Sequence, residues 1–358
     1  MISIIGAGPA GNYLAYLLAK NGMDVQVFEE HNKIGEPVQC TGIVSSRFSS
    51  IIDPKKDFVI NKIDKVRIYS PKKDHISLKT KTNYILDRTK FDKHLAELAK
   101  KAGAKYFLGY RFISHLKKGN RIKIKFSNKE IFDTDYLVGA DGPLSQVAKS
   151  AGIFGNRSFL IGTQAMAKKS NDNCVEFYPL EKGFAWVVPE NKRVVRIGIA
   201  AYKKTNVVFE RFIENKIQRK DIIKKQAGII PLYNPSIRTH EDRIYLLGDA
   251  ATMVKATTGG GIVQGLLAAE SLFWAITDNK NYTRLWKNKI GKDLFVHLLL
   301  RKIMDRFNET EWDRLIHLFQ EPRLKKVLEH ESRDNMIRLG LKIIMKKPEV
   351  MLYTRFLL

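Results

Sequence analysis

The sequence predicts an α/β fold joined to an antiparallel-sheet domain and a helical tail. Three observations carry this. Residues 3–29 read as strand, glycine-rich turn, helix and strand. The middle of the 358-residue chain alternates apolar and polar residues with the period of strands. The residues after 282 keep helical periodicity and a basic excess.

Ser3-Ile4-Ile5 is a short apolar strand running into Gly6-Ala7-Gly8-Pro9-Ala10-Gly11. In such a turn Gly6 makes the tight bend, Gly8 lets the backbone approach a pyrophosphate, and Gly11 lets the helix pack on the strand. The helix that follows presents Leu14, Ala15, Leu17 and Leu18 inward and stops at Gly22. Its N-terminus has free N–H groups and partial positive charge, which suits a phosphate. Val25 to Phe28 forms the next strand, and Glu29 falls where a carboxylate accepts ribose hydroxyls. Strand, turn, helix, strand and acid arrive in the order of a Rossmann-type dinucleotide site.

Residues 34–46 read as a loop and 58–78 as alternating strands. Asp87-Arg88-Thr89-Lys90 opens a helix reaching about Lys101, with Phe91, Leu95, Leu98 and Ala99 on one face; Gly103 ends it. Tyr106 to Asp135 is expected to be a three-stranded meander turning at Gly119-Asn120. Tyr136 to Gly142 is a buried strand entering a tight turn. Antiparallel strands are expected over about 160–202, then one or two helices over 205–228. Ile244 to Ala250 repeats the strand-then-turn pattern, followed by Thr258-Gly259-Gly260-Gly261-Ile262 and a long helix. The expected domains are discontinuous: 1–50, 84–158 and 230–282 for the nucleotide, 51–83 and 159–229 for the substrate, and 283–358 as a helical basic region.

Composition narrows the function classes. Hydrophobic residues make up 44% of the chain and charged residues 28%, which excludes wholesale disorder. No run of 18 apolar residues occurs and the N-terminus does not read as a signal peptide, so neither a membrane span nor export is expected. Two cysteines and eight dispersed histidines give no disulfide framework and no metal site. The net charge of +25 calls for anionic partners. Residues 280–358 hold 18 basic against 10 acidic residues, a net +8. Nucleic acid is not expected, because the charge is dispersed and no basic–aromatic binding motif stands out. An anionic membrane surface is the expected partner. The tail from Asn335 to Leu358 mixes Ile337, Leu339, Leu341, Ile343 and Ile344 with Arg338, Lys342, Lys346 and Lys347, a pattern able to lie at a lipid interface.

Six further segments carry a resemblance. They are Gly248-Asp249-Ala250-Ala251, Asp141-Gly142-x-x-Ser145, Asp87-Arg88-x-x-Phe91-Asp92, Gly35-Glu36-Pro37-Val38-Gln39-Cys40-Thr41-Gly42, Phe184-Ala185-Trp186-Val187-Val188-Pro189, and Val254 to Ile262. Together they resemble the flavoprotein family of aromatic hydroxylases and geranylgeranyl reductases, in particular the archaeal digeranylgeranylglycerophospholipid reductases. The resemblance covers most of the chain to about residue 280 and weakens afterwards. It departs at Ala148, where the family pattern has arginine, at Phe184 and Val188 in the tryptophan motif, and at Ala256, where proline is commoner.

The resemblance implies FAD as cofactor. Gly6, Gly8, Ala10, Gly11 and Glu29 would bind the nucleotide half, and Phe112 would offer backbone contacts to adenine. Asp249 would hold a ribitol hydroxyl. Gly260, Gly261 and Ile262 would bring a helix N-terminus to the isoalloxazine, with Cys40, Thr41, Gly42 and Arg88 beside it. Phe184, Trp186 and Pro189 would line the substrate path. Cys40 would position the alkene or relay a proton. The implied reaction saturates C=C bonds of geranylgeranyl chains of ether phospholipids by hydride transfer and protonation, at the cytoplasmic face of the membrane. The implied electron donor is a ferredoxin, a nicotinamide or a deazaflavin. The alternative is an FAD-dependent monooxygenase or halogenase of the same fold. Phe184 to Pro189 loosely resembles the halogenase Trp-x-Trp-x-Ile-Pro segment, but no catalytic lysine can be identified.

Overall fold

The computed structural model describes residues 1–331 and 334–357. Leu358, the last residue of the expected interfacial tail, and Ser332 and Arg333 lie outside the described residues. A six-stranded sheet runs in the order His240–Glu241, Ile244–Leu246, Tyr136–Gly139, Ile2–Ile5, Val25–Glu29, Lys105–Leu108. All its pairs are parallel except the first. Ile2–Ile5 sits centrally and is buried along its length, because helices cover both faces of a parallel sheet. The helix Pro9–Lys20 packs against Arg88–Lys101 and Ile262–Thr277, residues far apart in sequence.

The second sheet has eight strands: Ile222–Pro231, Phe159–Lys168, Val194–Ala201, Gly183–Asn191, Cys174–Leu180, Val59–Tyr69, His75–Leu86, Ile43–Val44. It is antiparallel except where Cys174–Leu180 runs parallel to Val59–Tyr69. One face of Gly183–Asn191 contributes Phe184, Trp186 and Val188 to a cluster with Ile63, Val66, Ile85 and Leu232. The other contributes Ala185 and Val187 to a cluster closed by Phe209 and Ile213 of the helix Thr205–Ile213. Ile43–Val44, just past the Cys40 loop, pairs with His75–Leu86 and so ties that loop to the large sheet.

Two expected elements differ. Of the one or two helices expected over 205–228, the α-helix Thr205–Ile213 is formed, and Ile222–Pro231 is instead an edge strand paired with Phe159–Lys168. Lys224, Lys225 and Gln226 favour helix locally, but an open sheet edge supplies a full ladder of backbone partners and overrides that preference. Lys105–Leu108 is not part of the meander. It joins the edge of the parallel sheet beside Val25–Glu29, and the three-stranded sheet runs only through Phe112–Lys118, Arg121–Phe126 and Ile131–Thr134. Phe28 cements the two sheets together, its ring 4.5 Å from Phe126 and 4.9 Å from both Phe107 and Phe132.

The tail is helical, from Tyr282–Trp286 through Lys292–Met304, Glu309–Gln320, Pro322–His330 and Met336–Lys346. It is not detached. Ile316 packs on Ile76 and Leu78 of the large sheet, and Leu339 and Ile343 pack on Leu324 and Val327.

Candidate active site

The glycine turn is built as its sequence requires. Gly6 has φ +105°, and a Cβ there would lie 2.4 Å from the Ala140 carbonyl oxygen. A Cβ on Gly11 would lie 2.2 Å from the Gly6 carbonyl oxygen, so only glycine lets the helix start this close to the turn. At Gly8 a Cβ would meet nothing within 4 Å. The space is open, and Pro9–Lys20 begins there without a side-chain cap. Its first N–H groups therefore face open space, an arrangement of the kind that receives phosphate.

Glu29 ends its strand beside this cradle. Its Oε2 accepts from the Ala7 N–H at 2.8 Å, and its Oε1 accepts from the His31 N–H at 3.1 Å. Phe112 lies close by in the chain path, since the Tyr110 N–H donates to the Glu29 carbonyl at 2.8 Å. The Phe112 ring itself is core. Asn12, fully buried, donates to the carbonyls of Ala7 and Asp92 and accepts from the Tyr106 hydroxyl, bolting the turn to the helix Arg88–Lys101.

That helix delivers Arg88, held by Asp92 through two hydrogen bonds of 3.1 and 2.8 Å. The fixed guanidinium lies near enough to interact electrostatically with both Cys40 and Asp249. Asp249 stands against the start of the helix Ile262–Thr277: a Cβ on Gly261 would lie 2.9 Å from its Oδ1. Among the described residues none donates a hydrogen bond to the Asp249 carboxylate, and burial pushes its pKa up to about 6, with Arg88 opposing the rise. The helix also begins without a side-chain cap or an acidic residue in its first turn. An unpartnered carboxylate, an uncapped helix start, the open space at Gly8 and the Glu29 carboxylate together fit a dinucleotide such as FAD.

The Cys40 loop closes one side. The Gly42 N–H donates to the Cys40 Sγ at 3.3 Å, and Gln226 donates to the Cys40 carbonyl at 3.1 Å. Arg196, 7% exposed, donates from Nη1 to the carbonyls of Thr41 and Leu86 and from Nε to Glu190 at 2.9 Å. Gln164 joins the loop to the large sheet, its Oε1 accepting from the Thr41 hydroxyl at 2.6 Å and from the Trp186 indole at 2.9 Å. Gly198 leaves room for that indole; a Cβ there would sit 2.5 Å from the ring. Phe184 stands 5.7 Å from Trp186 between ring centroids and reaches toward Gly259, where a Cβ would lie 3.8 Å from its ring.

The structure thus brings Cys40, Thr41, Gly42, Arg88, Asp249, Trp186, Phe184 and the turn ending in Gly260, Gly261 and Ile262 around one place. Pro189 is not with them. It pairs with Val195, which belongs to the opposite face of the sheet, as strand alternation requires. Asp92 is legible in the sequence as the end of the Asp87–Asp92 motif, but not as the partner that fixes Arg88, although it sits four residues after it on one helix face. Asn12, Gln164, Arg196 and Gln226 are not legible there as site residues; of these Arg196 leaves a trace, a lone charge inside the apolar run Val194–Ala201. The tail also reaches the site. His297 Nδ1 lies 2.6 Å from the Thr257 hydroxyl, and Asp334 pairs with Lys255.

Comparison with known proteins points to the same cofactor. A family described as FAD binding domain matches residues 56–281, and an NAD(P)-binding Rossmann-like domain matches residues 4–40. The chain is 31% identical to the digeranylgeranylglycerophospholipid reductase of Methanocaldococcus jannaschii, covering 100% of this chain and 98% of that protein. It is 26% identical to the protein of the same name from Methanothrix thermoacetophila, over 96% and 97% of the two chains. Among solved structures, a geranylgeranyl bacteriochlorophyll reductase-like protein from Thermoplasma acidophilum matches with 25% identity and TM-score 0.87, covering 100% of this chain and 98% of that one. A flavin-dependent brominase matches with 15% identity and TM-score 0.69, over 97% and 99% of the two chains, and shares the fold alone.

Proposed function

The chain belongs to the FAD-dependent digeranylgeranylglycerophospholipid reductase family, and from that premise we propose that it saturates C=C bonds in the geranylgeranyl chains of an anionic glycerophospholipid. The observation that carries the reading is the meeting of the Cys40 loop, the Trp186 strand and the glycine turn, the first two joined through Gln164 and the third approached by Phe184. Bound reduced FAD supplies the hydride. The residues of this chain do the rest. Gly6, Gly8, Ala10 and Gly11 receive the pyrophosphate, Glu29 the ribose and Asp249 the ribitol. An isolated alkene offers no carbonyl to polarise, so rate comes from holding a flexible chain in line. Phe184 and Trp186 form the wall it lies against, and Gln164 fixes the indole plane. Cys40 holds a proton at Sγ for the second carbon. The contacts His297–Thr257 and Lys255–Asp334 draw the tail over the glycine turn and keep water out. The monooxygenase or halogenase alternative rests on fold likeness and on the loose resemblance of Phe184 to Pro189.

Among the described residues no helix is long and apolar enough to cross a membrane. We place the protein at the surface of an anionic bilayer on its cytoplasmic side, since its substrate is a membrane lipid. Offered digeranylgeranylglycerophospholipid while anaerobically reduced, it should yield product heavier by two hydrogens for each flavin oxidised. Lipid of unchanged mass would contradict the reading.

FAD affinity should depend on pH through Asp249. A ribitol hydroxyl donates to the ionised carboxylate, so binding favours the deprotonated form. The free protein, whose Asp249 titrates near 6, then loses about tenfold in affinity for each pH unit below that value. In the apoprotein the sign runs the other way: the raised pKa makes ionised Asp249 a cost to the fold, and stability falls as pH rises through about 6. Flavin titrations between pH 5 and 7 should show the affinity step in the native protein and none in Asp249→Asn. A step of the same size in both assigns the pH dependence elsewhere.

A further inference from the structure

A cavity of about 630 Å³ opens on the surface between the turn Ser46–Ser50, the strand His75–Leu86, residues 288–293 and the start of the helix Met336–Lys346. Among the described residues its charged lining is Arg47, Lys81, Lys289 and Lys292 against Asp293 and Asp334, a net +2. Among the described residues the next layer does not cancel this: Lys255 behind Asp334 and Glu270 behind Lys289 offset each other, and Glu331, in electrostatic range of Lys81, is already shared by Arg338 and Lys342. Asp334 is buried and held by Lys255, and the Asp293 carboxylate accepts from the Met336 N–H at 2.9 Å, so both acids are occupied in holding the wall. Lys81 and Lys292 are exposed and form no ion pair among the described residues. The cavity suits an anion that brings its own polar oxygens.

Its position adds the class of anion. Lys255 opens the glycine turn and Arg47 follows the Cys40 loop, so the cavity borders the active site. Ile337 lines its rim and also begins a stripe along the helix Met336–Lys346, with Ile337 40%, Leu341 56% and Met345 72% exposed at four-residue spacing. The opposite face, Leu339 and Ile343, is spent on the protein core. Arg338 and Lys342 flank the stripe and share one acid, Glu331. A helix apolar on its outer face with basic flanks suits the boundary between headgroups and acyl chains of an anionic bilayer.

We infer that this cavity is the headgroup site, holding the phosphate of the anionic glycerolipid while its prenyl chains pass to the flavin. The inference rests on the reductase reading above and adds the group that recognises the substrate's charged end. Its direct test needs no turnover. Full-length, FAD-loaded protein is titrated with dihexanoyl phosphatidate, which has the phosphate but no prenyl chain, and with dihexanoylglycerol and inorganic phosphate as references. The variant Lys81→Ala/Lys292→Ala should bind phosphatidate at least tenfold more weakly, with no comparable change for dihexanoylglycerol. With the prenyl phospholipid as substrate, KM should rise by a similar factor and by more than kcat falls. Unchanged phosphatidate affinity overturns the assignment. So does inorganic phosphate binding as tightly as phosphatidate, or a loss confined to adsorption on vesicles containing phosphatidylglycerol. If no prenyl lipid is reduced but the variant still loses phosphatidate, the reductase reading fails and the headgroup site stands. If reduction is normal and phosphatidate binding is unmoved, the site fails by itself.

Discussion

Arg196→Met should destabilise the protein by about 3–5 kcal/mol, the usual result of removing one partner from a buried, hydrogen-bonded ion pair. Arg196 holds three groups at once: the carbonyls of Thr41 and Leu86 and the Glu190 carboxylate. Methionine restores the volume and none of the donors, so the buried Leu86 carbonyl, the half-buried Thr41 carbonyl and the half-buried Glu190 carboxylate lose their partner together. The same change should free the active-site loop, because the Thr41 carbonyl is one of its anchors to the large sheet. Denaturant unfolding measures the first effect, and the rate of Cys40 alkylation in the folded protein measures the second, which should rise. Adding Glu190→Gln should recover part of the stability but leave alkylation fast, since it removes the stranded charge without restoring the anchor. Native stability together with native alkylation kinetics would show that Arg196 does not hold the loop.

Trp186→Ala should cost about 3–5 kcal/mol as well, the range for emptying a large aromatic from a core. The indole is 7% exposed, seated over Gly198 and hydrogen-bonded to Gln164. The functional consequence separates this variant from an ordinary core defect. Trp186 belongs to the face carrying Phe184, while Glu29, Gly8 and Asp249 lie on the other domain, so FAD affinity should change only a few-fold while lipid turnover falls far more. Trp186→Phe keeps an aromatic wall and should recover most of the turnover. A loss of FAD binding in proportion to turnover would place Trp186 in the flavin site and not in the substrate path.

What the sequence discloses and what it hides follow from how far each constraint reaches. The turn from Gly6 to Gly11 is legible because its glycine spacing is a short local pattern between a strand and a helix, even though one of the clashes it avoids is with Ala140, at the end of a strand distant in sequence. The family motifs at Cys40, Arg88, Trp186 and Asp249 are legible for a similar reason, each being a short segment with its own pattern. Gln164 and Arg196 have no such pattern. Their roles exist only once strands far apart in sequence have paired and the Cys40 loop has been laid across them. The strand Ile222–Pro231 is missed because an edge strand facing solvent has no apolar alternation to show, and lysines there read as helix. Pro189 falls on the face opposite Phe184 and Trp186, which a motif quoted as a string does not reveal because successive residues of a strand alternate faces. The tail reads as a basic amphipathic region but not as two-faced. Only the packing of Leu339 and Ile343 shows that the outward stripe is Ile337, Leu341 and Met345.

In the proposed reaction the flavin gives its electrons to a prenyl double bond and not to oxygen. The direct measurement follows flavin absorbance after anaerobically reduced protein is mixed with digeranylgeranylglycerophospholipid. Reoxidation in the absence of oxygen, one double bond lost for each flavin and slowed in Cys40→Ser, is the result predicted here. A flavin that stays reduced beside the lipid, but reoxidises with hydroxylation or halogenation of an aromatic once oxygen is admitted, would contradict it.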